Sequence, residues 1–504
     1  AGYTMPLPDR DEMFITKGKM MQDVIVSLGG RIAESLIFDD VTTGASQDIK
    51  QATATAKDMV TKYGMTKELG CICYGKDNSA VFLGRDMGHT QDYSERTAAK
   101  IDELILEIVN NAYDRAETIL KDNIDKVKGF VVTHGHEDHI GAFPYVLREV
   151  NKPIYATKLT MGIIETKLKE HNLMGTTKRK VVKYGQYIML GDFRIEFIRI
   201  NHSIADACAL AIYTPAGIII HTGDFKVDYT PVFGEPIDLQ RFGEIGKKGV
   251  LAMLCDSTNV MRPGYTMSEK TVGKTFDNIF SDNQNSRIIV ATFASNVDRV
   301  QQIINSAAKY NRKVAVEGRS MVNIINVASE LGYLDIPDGM LVETDELKKY
   351  TDSQTVIITT GSQGESMAAL SRMAASIHKK VTIKPGDVVI VSATPIPGNE
   401  KSVARVINEL SMKGAKVIFQ DTHVSGHASQ EEIKLMYSIV KPKYAIPVHG
   451  EYRHLKTHAD LAVSMGIPKE NVFILSSGDV LELGSESAGK TGTVTAGSLL
   501  VDGL

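Results

Sequence analysis

Across residues 287–420 the sequence keeps one rhythm. Short β-branched runs, RIIVATF, KVAVEG, TVIITTGS, VVIVSAT and KVIFQ, are each separated from the next by a helix-length segment. Successive parallel strands need a crossover that lies on the sheet face, so this alternation predicts a parallel sheet covered by helices.

The flanks have a different texture. After Lys128 come the short strands GFVVT, FRIEFIRI and GIIIHTGDF, set among helices and Gly-rich loops. TPAG, residues 214–217, lies between two apolar runs and reads as a hairpin turn, which brings antiparallel sheet into this part. From residue 13 to 126 the pattern is mostly helical. Ile101, Leu104, Ile105, Ile108, Val109 and Ala112 mark one face of a long helix, and residues 20–38 and 47–63 have helical spacing around a Thr42-Thr43-Gly44 break.

At 504 residues, the length predicts two to four folding units. The 43% apolar and 23% charged content excludes disordered and collagenous classes, and no apolar run approaches the roughly 20 residues of a membrane helix. The N-terminus lacks the charged, apolar, small-residue order of a signal peptide, so the expected setting is cytoplasmic. Cys71, Cys73, Cys208 and Cys255 form no CxxC pair, which fits reduced thiols. A net charge of -4 removes the global basic signature of many nucleic-acid binders, although a local groove can still collect phosphates.

The densest chemistry follows the strand GFVVT. In THGHEDH, His134, His136, Asp138 and His139 stand where a loop can turn side chains toward one point, and imidazole with carboxylate suits zinc or a similar divalent ion. A lone histidine is more often structural, but four such residues in HxHxDH are not a common accident. RINHSIADA, with His202, and IIIHTGDFK, with Asp224, recur at the ends of predicted strands. Each is weak alone. Together with the first cluster they supply the ligands of a two-metal site, one carboxylate being able to bridge.

This set, in this order, resembles the metallo-β-lactamase superfamily. The resemblance implies an αββα sandwich with the metals at one sheet edge. It makes His134, His136 and His202 holders of one metal, Asp138 and His139 of the other, and Asp224 the bridge. LAMLCDSTN with Asp256, VSGHAS with His427 and IPVHGEYRH with His449 resemble the three motifs of its β-CASP branch, which implies a Rossmann-like insertion and a nucleic-acid substrate. From about residue 124 onward the similarity is to the ribonuclease J family, and it extends to ATFASN, EGRSM, ITTGSQGE and SATPIPGNE. In that reading His449 completes the second metal site. His423, Val424, Ser425, Gly426 and His427 cradle an RNA phosphate, and Ser295, Asn296, Arg319, Ser320 and Ser362 are further RNA contacts.

Two of these segments keep a plainer reading beside the functional one. TTGSQGE also reads as a strand-to-helix turn with Gly364 relieving strain and Ser362 capping, though N–H groups at helix starts are ready anion sites. Arg319 reads equally as a solvent-exposed helix-start residue. Asp298, in SNVDR, stands where the family pattern leads one to expect His.

The resemblance further implies an expected mechanism. Two divalent ions, zinc first with manganese or magnesium as alternatives, activate water for attack on phosphorus, helped by Asp138. His427 donates to phosphate or leaving oxygen, and Asp256 orients ligands. The family implies 5′-to-3′ exonuclease or endonuclease action on single-stranded, 5′-monophosphorylated RNA, in homo-oligomers or hetero-oligomers of ribonuclease J-type subunits and without a membrane. The 7% aromatic content offers few side chains for base stacking.

The segment before residue 49 resembles the peptidase domain of FtsH-type zinc proteases. That makes Asp48 its third zinc ligand and Glu34 a neighbouring acid, but the HExxH helix occurs nowhere in the sequence. The expected organisation is a helical fragment at 1–123 and a metallo-β-lactamase part at 124–250 without its first strands. A β-CASP insertion follows at 251–421, then a return to the first part at 422–485 and the start of a truncated region at 486–504. The competing expectations are a catalytically inactive RNA-binding remnant, a hydrolase of small esters or lactams, and a peptidase.

Overall fold

The computed structural model describes residues 16–28 apart from 19 and 26, and residues 46–70, 72–74, 93–124, 126–365, 367–395, 398–419 and 422–494. Cys71, Glu34 and the 42–44 break lie outside them. So do residues 29–38 of the first expected helix.

Two sheets face each other after residue 128. A three-stranded parallel sheet runs β1 (Phe130–Val131), β2 (Ile154–Ala156) and β3 (Arg179–Val181). A six-stranded sheet contains β4 (Tyr187–Leu190), β5 (Phe193–Arg199), β6 (Cys208–Thr214), β7 (Gly217–His221), β8 (Val250–Asp256) and β14 (Pro442–Val448), in the order β14-β8-β7-β6-β5-β4. Strands β4 to β7 are antiparallel, and the expected turn at 214–217 joins β6 to β7 with Thr214 opposite Gly217. Tyr155, Val182, Ile188, Phe197 and Leu210 fill the space between the sheets. The helices Leu239–Gly246 and Gln430–Val440 cover the six-stranded sheet through Phe242, Ile245, Met436 and Tyr437, and the helix Lys158–Glu170 covers the smaller one through Leu159 and Ile164. These are the four αββα layers.

The β/α rhythm produces a five-stranded, wholly parallel sheet. Its strands are β9 (Ile288–Ala291), β10 (Lys313–Glu317), β11 (Thr355–Thr359), β12 (Val388–Val391) and β13 (Lys416–Ile418), in the order β10-β11-β9-β12-β13. Side chains alternate across a strand, and both faces are buried. Ile288, Val290, Val356 and Ile358 pack on one face with Phe276 and Ile303, whereas Ile289, Ile357 and Val389 pack on the other with Leu370 and Leu410.

The insertion and the sandwich share a core, because Ile154, Leu159 and Ile164 belong to the same apolar cluster as Val300, Met321 and Ile325. The helix Lys158–Glu170 meets the helix Arg319–Glu330 so closely that a Cβ at Gly162 would lie 2.7 Å from Val327 Cγ1. The expected boundary at 250/251 falls inside β8. That strand pairs with β7 and β14, so residues 251–256 belong to the sandwich and the inserted unit follows Asp256. A hairpin of β15 (Asp479–Leu483) and β16 (Ala488–Thr493) spans the expected boundary at 485/486. Ahead of these units, Met20, Val24 and Leu28 pack with the helices Ser46–Thr61 and Glu95–Ile124 through Ala56, Met59, Leu104 and Ile108. That cluster contains no described residue beyond 113.

One buried ion pair fastens the insertion to the loop after β13. Arg299, 0% exposed, donates from Nε and Nη2 to the Glu269 carboxylate at 2.8 and 2.9 Å, from Nη1 to the Ser392 carbonyl at 2.9 Å and to His423 Nδ1 at 2.8 Å. Removing one member of such a pair strands the other charge in the core. Arg299→Ala should therefore lower unfolding free energy by about 3–5 kcal/mol in urea titration, and an Arg299→Met/Glu269→Met double variant should lose less. Wild-type stability in Arg299→Ala would contradict this packing.

Candidate metal centre

Every histidine and carboxylate of the centre leaves the carboxyl end of a strand. His134, His136, Asp138 and His139 follow β1 on a loop and the short helix Glu137–Ile140, His202 follows β5, Asp224 follows β7, Asp256 ends β8 and His449 follows β14. The backbone turns sharply to bring them inward. Gly223 has φ +60°, a Cβ there would lie 2.9 Å from the Cys208 carbonyl, and its N–H donates to His221 Nδ1 at 3.0 Å. His449 itself has φ +61°, a left-handed conformation that an L-residue adopts only at some cost.

Among the described residues the candidate ligating atoms fall into three groups, each with its atoms within 4.8 Å of one another. His134, His136 and His202 form the first, Asp138, His139, Asp224 and His449 the second, and Asp224, Asp256, His427 and His449 a third that overlaps the second. Asp224 reaches both of the first two. Its Oδ2 lies 3.7 Å from His134 Nε2, 3.3 Å from His139 Nε2 and 3.4 Å from His449 Nε2.

These residues fit divalent cations on an observation independent of any family. His134 Nε2 and His139 Nε2 are buried without a hydrogen-bond partner, although an unsatisfied buried ring nitrogen is costly. His202 Nδ1 donates to the Gly426 carbonyl at 2.8 Å, which leaves its Nε2 lone pair pointing at His136 Nδ1, 3.0 Å away. A cation between such atoms relieves the crowding.

The first two groups differ in charge state. Burial holds His134 and His202 well below the usual imidazole range and brings His136 to about 4, so all three are neutral at neutral pH. His449 is pushed up to about 9, chiefly by its hydrogen bond with Asp138, and the same bond holds the Asp138 carboxyl well below the usual carboxylate range.

Behind the second group, the buried Asp256 carboxylate orients two histidines. Its Oδ2 accepts from His427 Nδ1 at 2.7 Å. Its Oδ1 accepts from Thr258 Oγ1 at 2.8 Å, and that hydroxyl oxygen accepts from His449 Nδ1 at 2.7 Å. Burial raises the Asp256 carboxyl but His427 outweighs it and the net shift is downward, while Asp256 in turn raises His427 against its own burial. Thr258 went unnoticed in the sequence, although the Asp-x-Thr spacing is a turn signature and Thr258 N–H does close onto Asp256 Oδ1 at 2.9 Å. Also unforeseen is a buried brace at the end of β8: Ser257 Oγ lies 2.9 Å from His458 Nδ1, and Tyr437 Oη lies 2.9 Å from His458 Nε2.

The expected RNA contacts share one sheet edge but not one orientation. Ser295 and Asn296 follow β9, Arg319 and Ser320 follow β10, Ser362 follows β11 and the 423–427 loop comes after β13, so all stand at the carboxyl edge of the parallel sheet, where such folds bind ligands. Arg319 and Ser320 are exposed, Ser295 is half-buried, and Ser362 is buried. The Asn296 side chain caps its own helix by accepting from Arg299 N–H at 3.0 Å. The His423 ring faces Arg299, and burial with that guanidinium lowers it to about 3. The Val424 carbonyl accepts from Arg299 at 3.3 Å, and Ser425 Oγ accepts from Asn259 Nδ2 at 2.8 Å. Gly426 approaches Ser203 so closely that a Cβ would lie 2.7 Å from its backbone nitrogen, which is what lets its carbonyl reach His202. Asp298 Oδ1 is buried without a partner, and burial reinforced by Glu269 raises that carboxyl to about 7. Asp48 lies in the helix Ser46–Thr61.

The family described as "Ribonuclease J, beta-CASP domain" matches residues 285–410, "Zn-dependent metallo-hydrolase RNA specificity domain" residues 415–475, and "Beta-lactamase superfamily domain" residues 109–237. "Peptidase family M41" matches residues 1–133, overlapping the last of these. Ribonuclease J of Helicobacter pylori (strain B128) is 49% identical over 382 residues, 75% of this chain and 55% of that protein. The chain thus spans little more than half the length of that relative. Ribonuclease J 1 of Streptococcus pyogenes serotype M3 is 48% identical over 76% of this chain and 68% of its own length. Ribonuclease J2 of Bacillus subtilis (strain 168) is 41% identical over 76% of this chain and 70% of its own. With such relatives matched over more than two thirds of their length, the chain belongs to the ribonuclease J family.

Proposed function

We propose that this chain is a metal-dependent ribonuclease that hydrolyses phosphodiester bonds of single-stranded RNA, as a 5′-to-3′ exonuclease, an endonuclease or both, with a 5′-monophosphate preferred. The observation that carries the reading is Asp224 Oδ2 standing within 3.7 Å of ring nitrogens from both ligand groups, beside a His427–Asp256 pair. The names of the matched families and relatives support RNA as the substrate.

In this reading His134, His136 and His202 would hold one cation and Asp138, His139 and His449 a second, with Asp224 within reach of both groups, and zinc would be preferred to manganese or magnesium. The chemistry such a cation pair supplies when bound is Lewis-acid activation of water and neutralisation of phosphate charge. The protein does the rest. Burial disfavours the protonated form of His427 but the Asp256 carboxylate outweighs it, and with Nδ1 held by Asp256 the ring's Nε2 is left for the phosphate or the leaving oxygen, while Thr258 keeps the His449 Nε2 directed at the centre. The N–H groups of residues 424–426 and the edge residues Ser295, Arg319 and Ser320 are the groups free to track the RNA backbone, which suits binding without sequence preference, whereas Asn296 and Ser362 are buried beneath that edge and the His427 N–H is held by Ser425 Oγ. Among the described residues no helix is long and apolar enough to cross a membrane, which is compatible with the cytoplasmic setting we propose. Association of the chain with itself or with other ribonuclease J-type subunits belongs to the same reading.

Zinc-loaded or manganese-loaded protein incubated with 5′-labelled monophosphate RNA should release mononucleotides if it acts from the end and fragments if it cuts internally. Asp138→Ala and His427→Ala should each lower the rate by at least about 100-fold at matched metal content. Undiminished rates would contradict their roles, and stoichiometric metal without hydrolysis would favour a binding protein.

The protonation of His449 yields a second prediction. A ligating imidazole must be neutral, whereas His449 keeps its proton below about 9 in the cation-free chain. Loading the second group therefore expels that proton, and cation affinity there should rise as pH climbs toward 9 and fall as pH drops. Calorimetric titration at neutral pH in two buffers of different ionisation heat should show about one proton released per chain. Buffer-independent heats would contradict the assignment.

A further inference from the structure

We propose that the exposed loop MRPGYTM, residues 261–267, is a stacking ledge for the bases of single-stranded RNA beside the metal centre, an inference that rests on the ribonuclease reading and extends it to where the bases lie. Met261, Tyr265 and Met267 are 51%, 57% and 61% exposed, and Tyr229 on the neighbouring loop is 61% exposed.

These side chains stand out from a rigid support. Asn259 Nδ2 donates to Ser425 Oγ at 2.8 Å and to the His427 carbonyl at 3.0 Å, and Thr266 Oγ1 donates to that same carbonyl at 2.7 Å. The N–H groups of Gln430 and Glu431 donate to the Arg262 and Gly264 carbonyls at 3.0 and 3.1 Å, and Thr266 N–H donates to Glu432 at 2.7 Å. Tyr229 is carried to the same place because Thr230 and Ser268 exchange two hydrogen bonds, at 3.1 and 3.0 Å. The ledge is thus fixed to the loop proposed to hold the RNA phosphate, and the two surfaces are continuous.

Large apolar groups pinned outward in this way mark a binding surface, and charge selects the occupant. Exposed Arg262 lies among them, and its guanidinium makes no hydrogen bond or ion pair with any described residue. It is one of the cations that depress His423, which puts its field on the phosphate loop. Aromatic rings for base faces with an unpaired guanidinium for phosphate are what single-stranded RNA needs, and what an apolar protein contact does not.

The test uses the full chain and a fluorescent phosphorothioate oligoadenylate of ~20 nucleotides, whose binding is followed by anisotropy. Tyr265→Ala should weaken binding roughly 5- to 100-fold, and Tyr265→Phe should restore it. Arg262→Ala should lower the slope of log affinity against log salt by about 0.7, a change that a merely structural role would not produce. Wild-type affinity in Tyr265→Ala would overturn the proposal. So would loss of self-association in that variant with RNA affinity unchanged, because the loop would then be a contact between copies of the chain. Tyr265-dependent binding by a chain that cleaves no RNA would support the ledge and sink the ribonuclease reading.

Discussion

The buried carboxylate of Asp256 is the constraint on which the geometry of the centre depends. It is fully enclosed at the end of β8, and it accepts directly from His427 and, through Thr258, controls His449. A buried charge persists only when its lone pairs are filled, and here the donors that fill them are His427 and Thr258, whose hydroxyl in turn holds His449. The electrostatic requirement of one carboxylate therefore sets the tautomers and orientations of two histidines drawn from distant parts of the chain.

The insertion is coupled to the same centre by hydrogen bonds rather than by chain connectivity alone. The Gly426 carbonyl fixes the His202 tautomer, so a loop after β13 of the inserted sheet determines which nitrogen of a sandwich ligand faces inward. That loop is anchored from behind by Arg299 through His423 and Val424, and from the outside by Asn259 and Thr266. The carboxyl edge of the inserted sheet and the histidine-rich edge of the sandwich are thus parts of one continuous framework.

Much of this was legible in the sequence because it is local. The β/α rhythm gave the five-stranded sheet, the TPAG turn gave the β6–β7 hairpin, and the HxHxDH spacing placed four candidate ligands on the loop and short helix after β1. What was not legible joins residues far apart. Arg299 meets His423 across 124 positions, Thr258 meets His449 across 191, and Ser257 meets His458 across 201. Arg299 carries no local signal of burial, and only the tertiary packing makes it the buried partner of Glu269. His423 sits within a motif that suggests a phosphate contact, yet its ring is taken by that arginine. The 250/251 boundary falls inside β8 because what assigns that strand to the sandwich is its pairing with β14, which joins Val250 to Pro442.

The central claim is that two cation sites share Asp224, and it is tested most directly by counting metal. The account predicts about two equivalents of zinc or manganese per purified, reconstituted chain by elemental analysis, and one retained by His449→Ala. A wild-type chain that holds at most one equivalent, or a His449→Ala chain that still holds two, would contradict it.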